Sequence, residues 1–99
     1  MALLQHIYVI YNPYTKLTKI GVSSNLEKRL QSLSNACGVK LYCAFKSKAV
    51  ENATHIESSL HNRFANHRQM GEWFSIEPDT AIEAIRYFGL VDIRHPPIT

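Results

Sequence analysis

Cysteine is scarce in this 99-residue chain, long apolar runs are missing, and neither sign of charge is in large excess. Each shortage excludes something. Two cysteines, Cys37 and Cys43, offer too few ligands for a zinc site and form no Cys-x-x-Cys pair. They read as two buried or half-buried free thiols, as suits a reducing compartment. No apolar run approaches the roughly 20 residues that a membrane span needs, so no membrane partner is expected. Residues 1–5 lack the basic and apolar regions of a secretory signal, which points to the cytoplasm. No repeat, low-complexity tract or linker marks a domain boundary. One domain over residues 1–99 is expected, with its core at about 6–88 and a tail at 90–99.

What the chain does have is an ordinary globular composition, 45% hydrophobic and 19% charged, enough for a single core. Its net charge of +3 is unevenly spread. Residues 1–71 hold nine Lys/Arg against three Asp/Glu, and residues 72–99 hold two against five. A basic front suits a protein that meets an anionic polymer, although a mixed solvated surface produces the same count.

Residues 6–11 are β-branched and aromatic and predict a strand. Residues 12–15, with Pro13, predict a turn, and residues 17–22 predict the returning strand of a hairpin. Ser24, with Glu27 three residues on, has capping-box spacing for a helix carrying Leu26, Leu30, Leu33 and Cys37 on one face, stopped by Gly38. Residues 39–46 predict a third strand with Leu41, Cys43 and Phe45 on one face. A longer helix at about 49–67 carries Val50, Ala53, Ile56, Leu60 and Phe64. Gly71, Glu72, Trp73 and Phe74 form a loop entering a short extended segment, and residues 78–88 a last helix bounded by Pro78 and Gly89. The tail, with Pro96 and Pro97, is expected to be poorly ordered. The expected fold is α+β: a small antiparallel sheet of about three strands, opened by a β-hairpin and flanked by three helices.

Two charges break the binary pattern. At about 100° per residue, Arg29 falls between Leu33 and Ala36 on the buried stripe of the first helix. Glu57 falls in line with Ala53, Leu60 and Phe64 on the second. Burying an unpaired ion costs several kcal/mol. Either the two pair with each other, or Arg29 snorkels outward, or they line a concave site with a carboxylate for a divalent cation and a guanidinium for a phosphate.

Ile7-Tyr8-Val9 and then Lys19-Ile20-Gly21, with ten residues between Tyr8 and Lys19, resemble the hairpin of the GIY-YIG nuclease superfamily. Residues 18–30 resemble its second strand and first helix, where its arginine lies. Residues 55–64, followed by Gly71-Glu72-Trp73-Phe74, are similar to its small, single-domain phage-type branch. The resemblance implies a metal-dependent endonuclease hydrolysing phosphodiester bonds in DNA. Tyr8 would orient or deprotonate the attacking water, and Arg29 would steady charge on the phosphoryl group. Glu57 would hold one divalent ion, Mg²⁺ or Mn²⁺. Lys16, Lys28 and Arg63 are expected to meet the nucleic-acid backbone. A homodimer or a specificity-conferring partner would supply the sequence reading that one small domain lacks.

The chain departs from the pattern at His6, where the first motif has glycine, and at Lys19, where the second has tyrosine. Lys19 is either an exposed strand lysine or a charge for the phosphate, and Gly21 beside it could let a phosphate approach. His61, four residues after Glu57, is either a helix-surface histidine or a catalytic group that moves a proton, meets phosphate or orients the glutamate. Trp73 is either core or a base-stacking surface. The altered second motif is what favours the alternative function, a catalytically weak or inactive nucleic-acid-binding module of the same fold.

Overall fold

The opening run of β-branched and aromatic residues forms β1 (His6–Asn12), and it returns as β2 (Leu17–Ser23), paired from His6 with Ser23 to Asn12 with Leu17. The computed structural model describes residues 3–94. The turn between the strands is closed by Asn12, whose Oδ1 accepts the Tyr14 and Thr15 amides at 2.9 and 3.2 Å. Ile7, Tyr8, Val9 and Ile10 are all buried, so β1 is covered on both faces.

Helix α1 (Leu26–Cys37) starts one residue later than the capping-box spacing predicts. Asn25, not Ser24, is the cap, and its side chain accepts the Lys28 amide at 3.2 Å. Glu27 is thereby moved out of reach of a capping partner and meets Lys46 instead, 3.4 Å away. Gly38 ends the helix with a left-handed φ of 71°. Only Leu26 of this helix is fully buried; Leu30 and Leu33 are half-buried, and Cys37 is exposed, not buried as expected.

Strand β3 (Tyr42–Lys46) lies antiparallel to β1 with a register shift between Val9 and Ile10. Val9 faces Phe45 and Ile10 faces Cys43, so Ala44 is an extra residue on β3. Strict alternation would put Cys43 and Phe45 on one face. The bulge instead sends Phe45 into the core with Ile7 and Val9, and Cys43 against Tyr8 and Ile10 on the other side.

Helix α2 (Ala53–Arg63) is shorter than the predicted span. Val50 is held in an antiparallel bridge to Gln5 and cannot join it, and a 3-10 turn (Ala65–His67) follows it. Next come β4 (Arg68–Met70) and β5 (Trp73–Phe74), joined by a two-residue turn in which Gly71 takes φ 56°. Helix α3 (Pro78–Arg86) completes the fold.

The sheet is five-stranded, in the order β3-β1-β2-β5-β4, with every pair antiparallel. The α+β class and the three helices match the sequence reading; the strand number is larger by the β4–β5 hairpin. On one face α2 and α3 bury Ile56, Leu60, Ala81 and Ile85 against Val9, Ile20, Phe45 and Phe74. On the other, α1 and Leu41 cover Tyr8 and Ile10.

Part of the tail is ordered, contrary to expectation. The Ile93 amide donates to the Lys46 carbonyl at 2.9 Å, and Asp92 accepts the Lys46 amide at 3.3 Å. Arg94 binds both carboxylate oxygens of Asp92 and reaches the Cys43 carbonyl. These bonds cover the free edge of β3, which would otherwise be a template for another strand. Pro96 and Pro97 lie outside the described residues.

Candidate functional site at the edge of β2

Lys19 is only 6% exposed. Strand β5 places Trp73 directly opposite it, with the Lys19 ammonium 5.5 Å from the centroid of the indole ring. Glu72, immediately before Trp73, puts Oε2 3.0 Å from Lys19 Nζ. A buried ammonium is tolerable because it has both a carboxylate and an aromatic face. The exposed-lysine alternative is therefore wrong. Its partner lies 53 residues away and reaches it only through strand pairing.

Strand β5 pairs with β2 only at Thr18 and Lys19, so the outer edge of β2 beyond Lys19 is left to side chains. Helix α2 supplies them. His61 Nε2 lies 2.8 Å from the Ile20 carbonyl, and its ring packs on Phe74 at a centroid distance of 5.2 Å. Glu57, one turn earlier on the same helix face, lies beside the Val22 amide. When Nε2–H donates to a carbonyl, the imidazole keeps its lone pair on Nδ1 and is held in one orientation. Glu57, His61 and Glu72 each present one ligand atom, all within 4.8 Å of one another. Two carboxylates and an oriented imidazole form a donor set that fits a divalent cation of the Mg²⁺–Mn²⁺–Zn²⁺ range.

Burial pushes the Glu57 carboxyl above the ordinary glutamate value, and the negative charge of Glu72 pushes it further; His61, Lys19 and the Val22 amide pull it back. The sign of the consequence is fixed. Above its raised pKa Glu57 is ionised in the folded as in the unfolded chain, and the folded state then carries the cost of burying that charge beside Glu72. Glu57→Gln is therefore expected to raise the urea midpoint at pH 7.5 in chelator-treated buffer. The gain shrinks as pH falls through the raised pKa and is gone below the ordinary value of 4.5. An equal gain at pH 7.5 and pH 3.5 would mean that charge strain is not its source.

Tyr8 lies directly across from Gly21, and its ring covers that glycine. A Cβ at Gly21 would sit 2.5 Å from Tyr8 Cζ and closer still to Oη. The space at Gly21 thus belongs to the tyrosine ring, not to a phosphate as the sequence suggested. Burial pushes the Tyr8 hydroxyl up from its usual pKa; a hydrogen bond from Arg29 and its charge oppose this, and Glu72 and Glu57 add to it. Arg29 is exposed rather than on a buried stripe. The sheet surface beneath α1 is small, so Leu26, Leu30 and Leu33 cover it without the next position round the helix. Arg29 and Glu57 do not pair with each other; Arg29 adjoins the Tyr8 hydroxyl, and the Glu57 charge acts on it from further away.

Tyr8, Lys19, Arg29, Glu57 and His61 are therefore neighbours, although Glu57 and His61 ride on the opposite face of the sheet from Tyr8 and Lys19. The sequence reading gave Glu72 no part. Its only signal was its place inside the Gly71-Glu72-Trp73-Phe74 motif, beside a glycine that makes the tight turn. Lys28 is exposed next to Arg29, in a shallow depression shared with Ser23, Ser24 and Asn25. Lys16 sits in the hairpin turn with φ 61°. Arg63 faces a separate groove between α2 and α3, with Thr80, Glu83 and Tyr87.

The match of this chain to a phage-associated domain family supports a phage-type domain of nuclease-like character. More particularly, the chain belongs to the T5orf172 domain family, whose model matches residues 5–89. No curated protein and no solved structure matches it. Among the described residues no helix is long and apolar enough to cross a membrane.

Proposed function

We propose that this protein is a metal-dependent endonuclease of the GIY-YIG type, hydrolysing phosphodiester bonds in DNA in the cytoplasm. The observation that carries the reading is the convergence of Tyr8, Arg29, Lys19 and the Glu57–His61–Glu72 cluster on one strand edge.

Tyr8 Oη, fixed by Gly21 beneath it and by Arg29 beside it, keeps its own proton because burial raises its pKa, and it orients the attacking water by accepting a hydrogen bond from it. Arg29, exposed on α1, meets the phosphoryl oxygens and balances the charge they gain in the transition state. Lys19 brings a second positive charge toward the same phosphate. Glu57, with His61 and Glu72 beside it, would hold one divalent ion, which would supply Lewis-acid stabilisation of the phosphate and the leaving oxygen. The Ile20 carbonyl keeps His61 in place, which suits a ligand better than a freely turning proton carrier. Lys28 next to Arg29 extends the positive surface along the nucleic-acid backbone; Lys16 and Arg63 would meet it only if the polymer wrapped further. A second copy or a partner would add sequence preference.

A second reading is a module that binds nucleic acid without cutting it, favoured by the engagement of Lys19 with Glu72. A panel of single-stranded, double-stranded and branched DNA, and RNA, in Mg²⁺ and in Mn²⁺ separates the two. Cutting is expected on DNA, abolished by EDTA and slowed about a hundredfold in Tyr8→Phe. Salt-sensitive binding with no cutting of any substrate rejects the hydrolase and keeps the module. Neither binding nor cutting rejects both.

A further inference from the structure

Glu72 is claimed twice. Its carboxylate is the partner of the Lys19 ammonium at 3.0 Å, and it also contributes a ligand atom to the cluster with Glu57 and His61. A dication held by that cluster would stand about 2–2.5 Å from a Glu72 oxygen. The same carboxylate cannot keep an ammonium at contact distance without placing like charges side by side in a half-buried site.

We propose that Lys19 is a built-in counter-ion that competes with the metal: it holds Glu72 in the metal-free protein and surrenders it when a divalent cation bridges Glu57, His61 and Glu72. Four further observations bear on this. The Lys19 side chain is buried against Trp73, so the ammonium cannot simply withdraw into bulk water when displaced. It stays on the sheet face it shares with Tyr8, in a place to receive an anion. The cluster holds two carboxylates against one lysine, a surplus of negative charge that a dication offsets better than a monocation. His61 is already oriented by the Ile20 carbonyl, and Glu72 is the member of the cluster paired with a cationic side chain. An imidazole in the donor set also favours Mn²⁺ over Mg²⁺.

The exchange rests on the proposed metal site but not on catalysis, and it is tested with the free protein. Mn²⁺ affinity is measured by calorimetry and electron paramagnetic resonance for wild type, Lys19→Met, Glu72→Gln and the double variant, without nucleic acid. Lys19→Met is expected to bind Mn²⁺ about tenfold more tightly, because a competing cation is gone. Glu72→Gln is expected to bind at least about tenfold more weakly. In the Glu72→Gln background, Lys19→Met is expected to change affinity much less than it does alone. An unchanged or weaker affinity in Lys19→Met overturns the proposal, as does full affinity in Glu72→Gln. Should Lys19→Met not fold, the Lys19 side-chain nitrogen resonance of wild type is followed through a Mg²⁺ titration: a saturable shift supports displacement and an unmoved resonance refutes it. If the affinities behave as stated and no substrate is cut, the nuclease reading falls and this one stands. Cutting by a protein whose Mn²⁺ affinity ignores Lys19 has the opposite meaning.

Discussion

Glu57→Gln is expected to slow phosphodiester cleavage by about a thousandfold or more while the protein stays folded and becomes more resistant to urea at neutral pH. The amide keeps the volume and hydrogen-bonding shape of the side chain, so α2 still packs through Ala53, Ile56, Leu60 and Phe64. What it removes is the negative charge that makes the cluster attractive to a divalent cation. Loss of a single preorganised group that stabilises developing charge typically costs 10²–10³ in rate, and loss of a metal ligand removes more than one such contribution. The rise in stability belongs to the same physics, since a site poised with two carboxylates in close reach is strained until a cation joins it. The measurement is single-turnover cleavage at saturating Mn²⁺ beside a urea titration without metal. Cleavage within tenfold of wild type would remove Glu57 from the reaction.

Gly21→Ala is expected to do comparable damage by a different route. The added methyl would overlap the Tyr8 ring, which is 1% exposed and walled in by Ile10, Leu26 and Leu41 on its own face of the sheet. Either the ring or the strand must move. Overpacking of this kind costs about 1–3 kcal/mol, which for a domain of this size lowers the melting temperature by roughly 5–15 °C. The displaced hydroxyl leaves Arg29, and a shift of about 1 Å in a reacting group is enough for a hundredfold loss of rate. The companion variant Gly21→Ala/Tyr8→Leu gives the methyl room, so it is expected to recover much of the stability and none of the activity. If Gly21→Ala melts and cuts like wild type, the glycine does not set the position of the tyrosine.

The parts of this fold legible in the sequence are those written in short-range pattern. The β1–β2 hairpin follows from two β-branched runs around Asn12 and Pro13, and each helix from an apolar repeat, with Gly38 ending the first and Pro78 opening the last. The charges at Arg29 and Glu57 stood out because they interrupted such repeats. Glu57 does sit at the margin of its stripe, but Arg29 is exposed, because a helical wheel does not say how wide a surface the helix will cover.

The rest is set by pairing between distant segments. Strands of three and two residues, Arg68–Met70 and Trp73–Phe74, are too short to show alternation, and they are strands because β2 offers them an edge. The bulge at Ala44 sends Cys43 and Phe45 to opposite faces for a reason that lies in β1. Residue types and their order along the chain determined the class of fold, the hairpin, the helices, and Tyr8, Arg29 and Glu57 as the groups to watch. Tertiary structure alone decided that Lys19 is buried on Trp73 and paired with Glu72, that His61 leans on Ile20, and that Gly21 makes room for a ring. Each of those is a contact between side chains or strands 13 to 54 positions apart, and no periodicity of a helix or a strand extends that far.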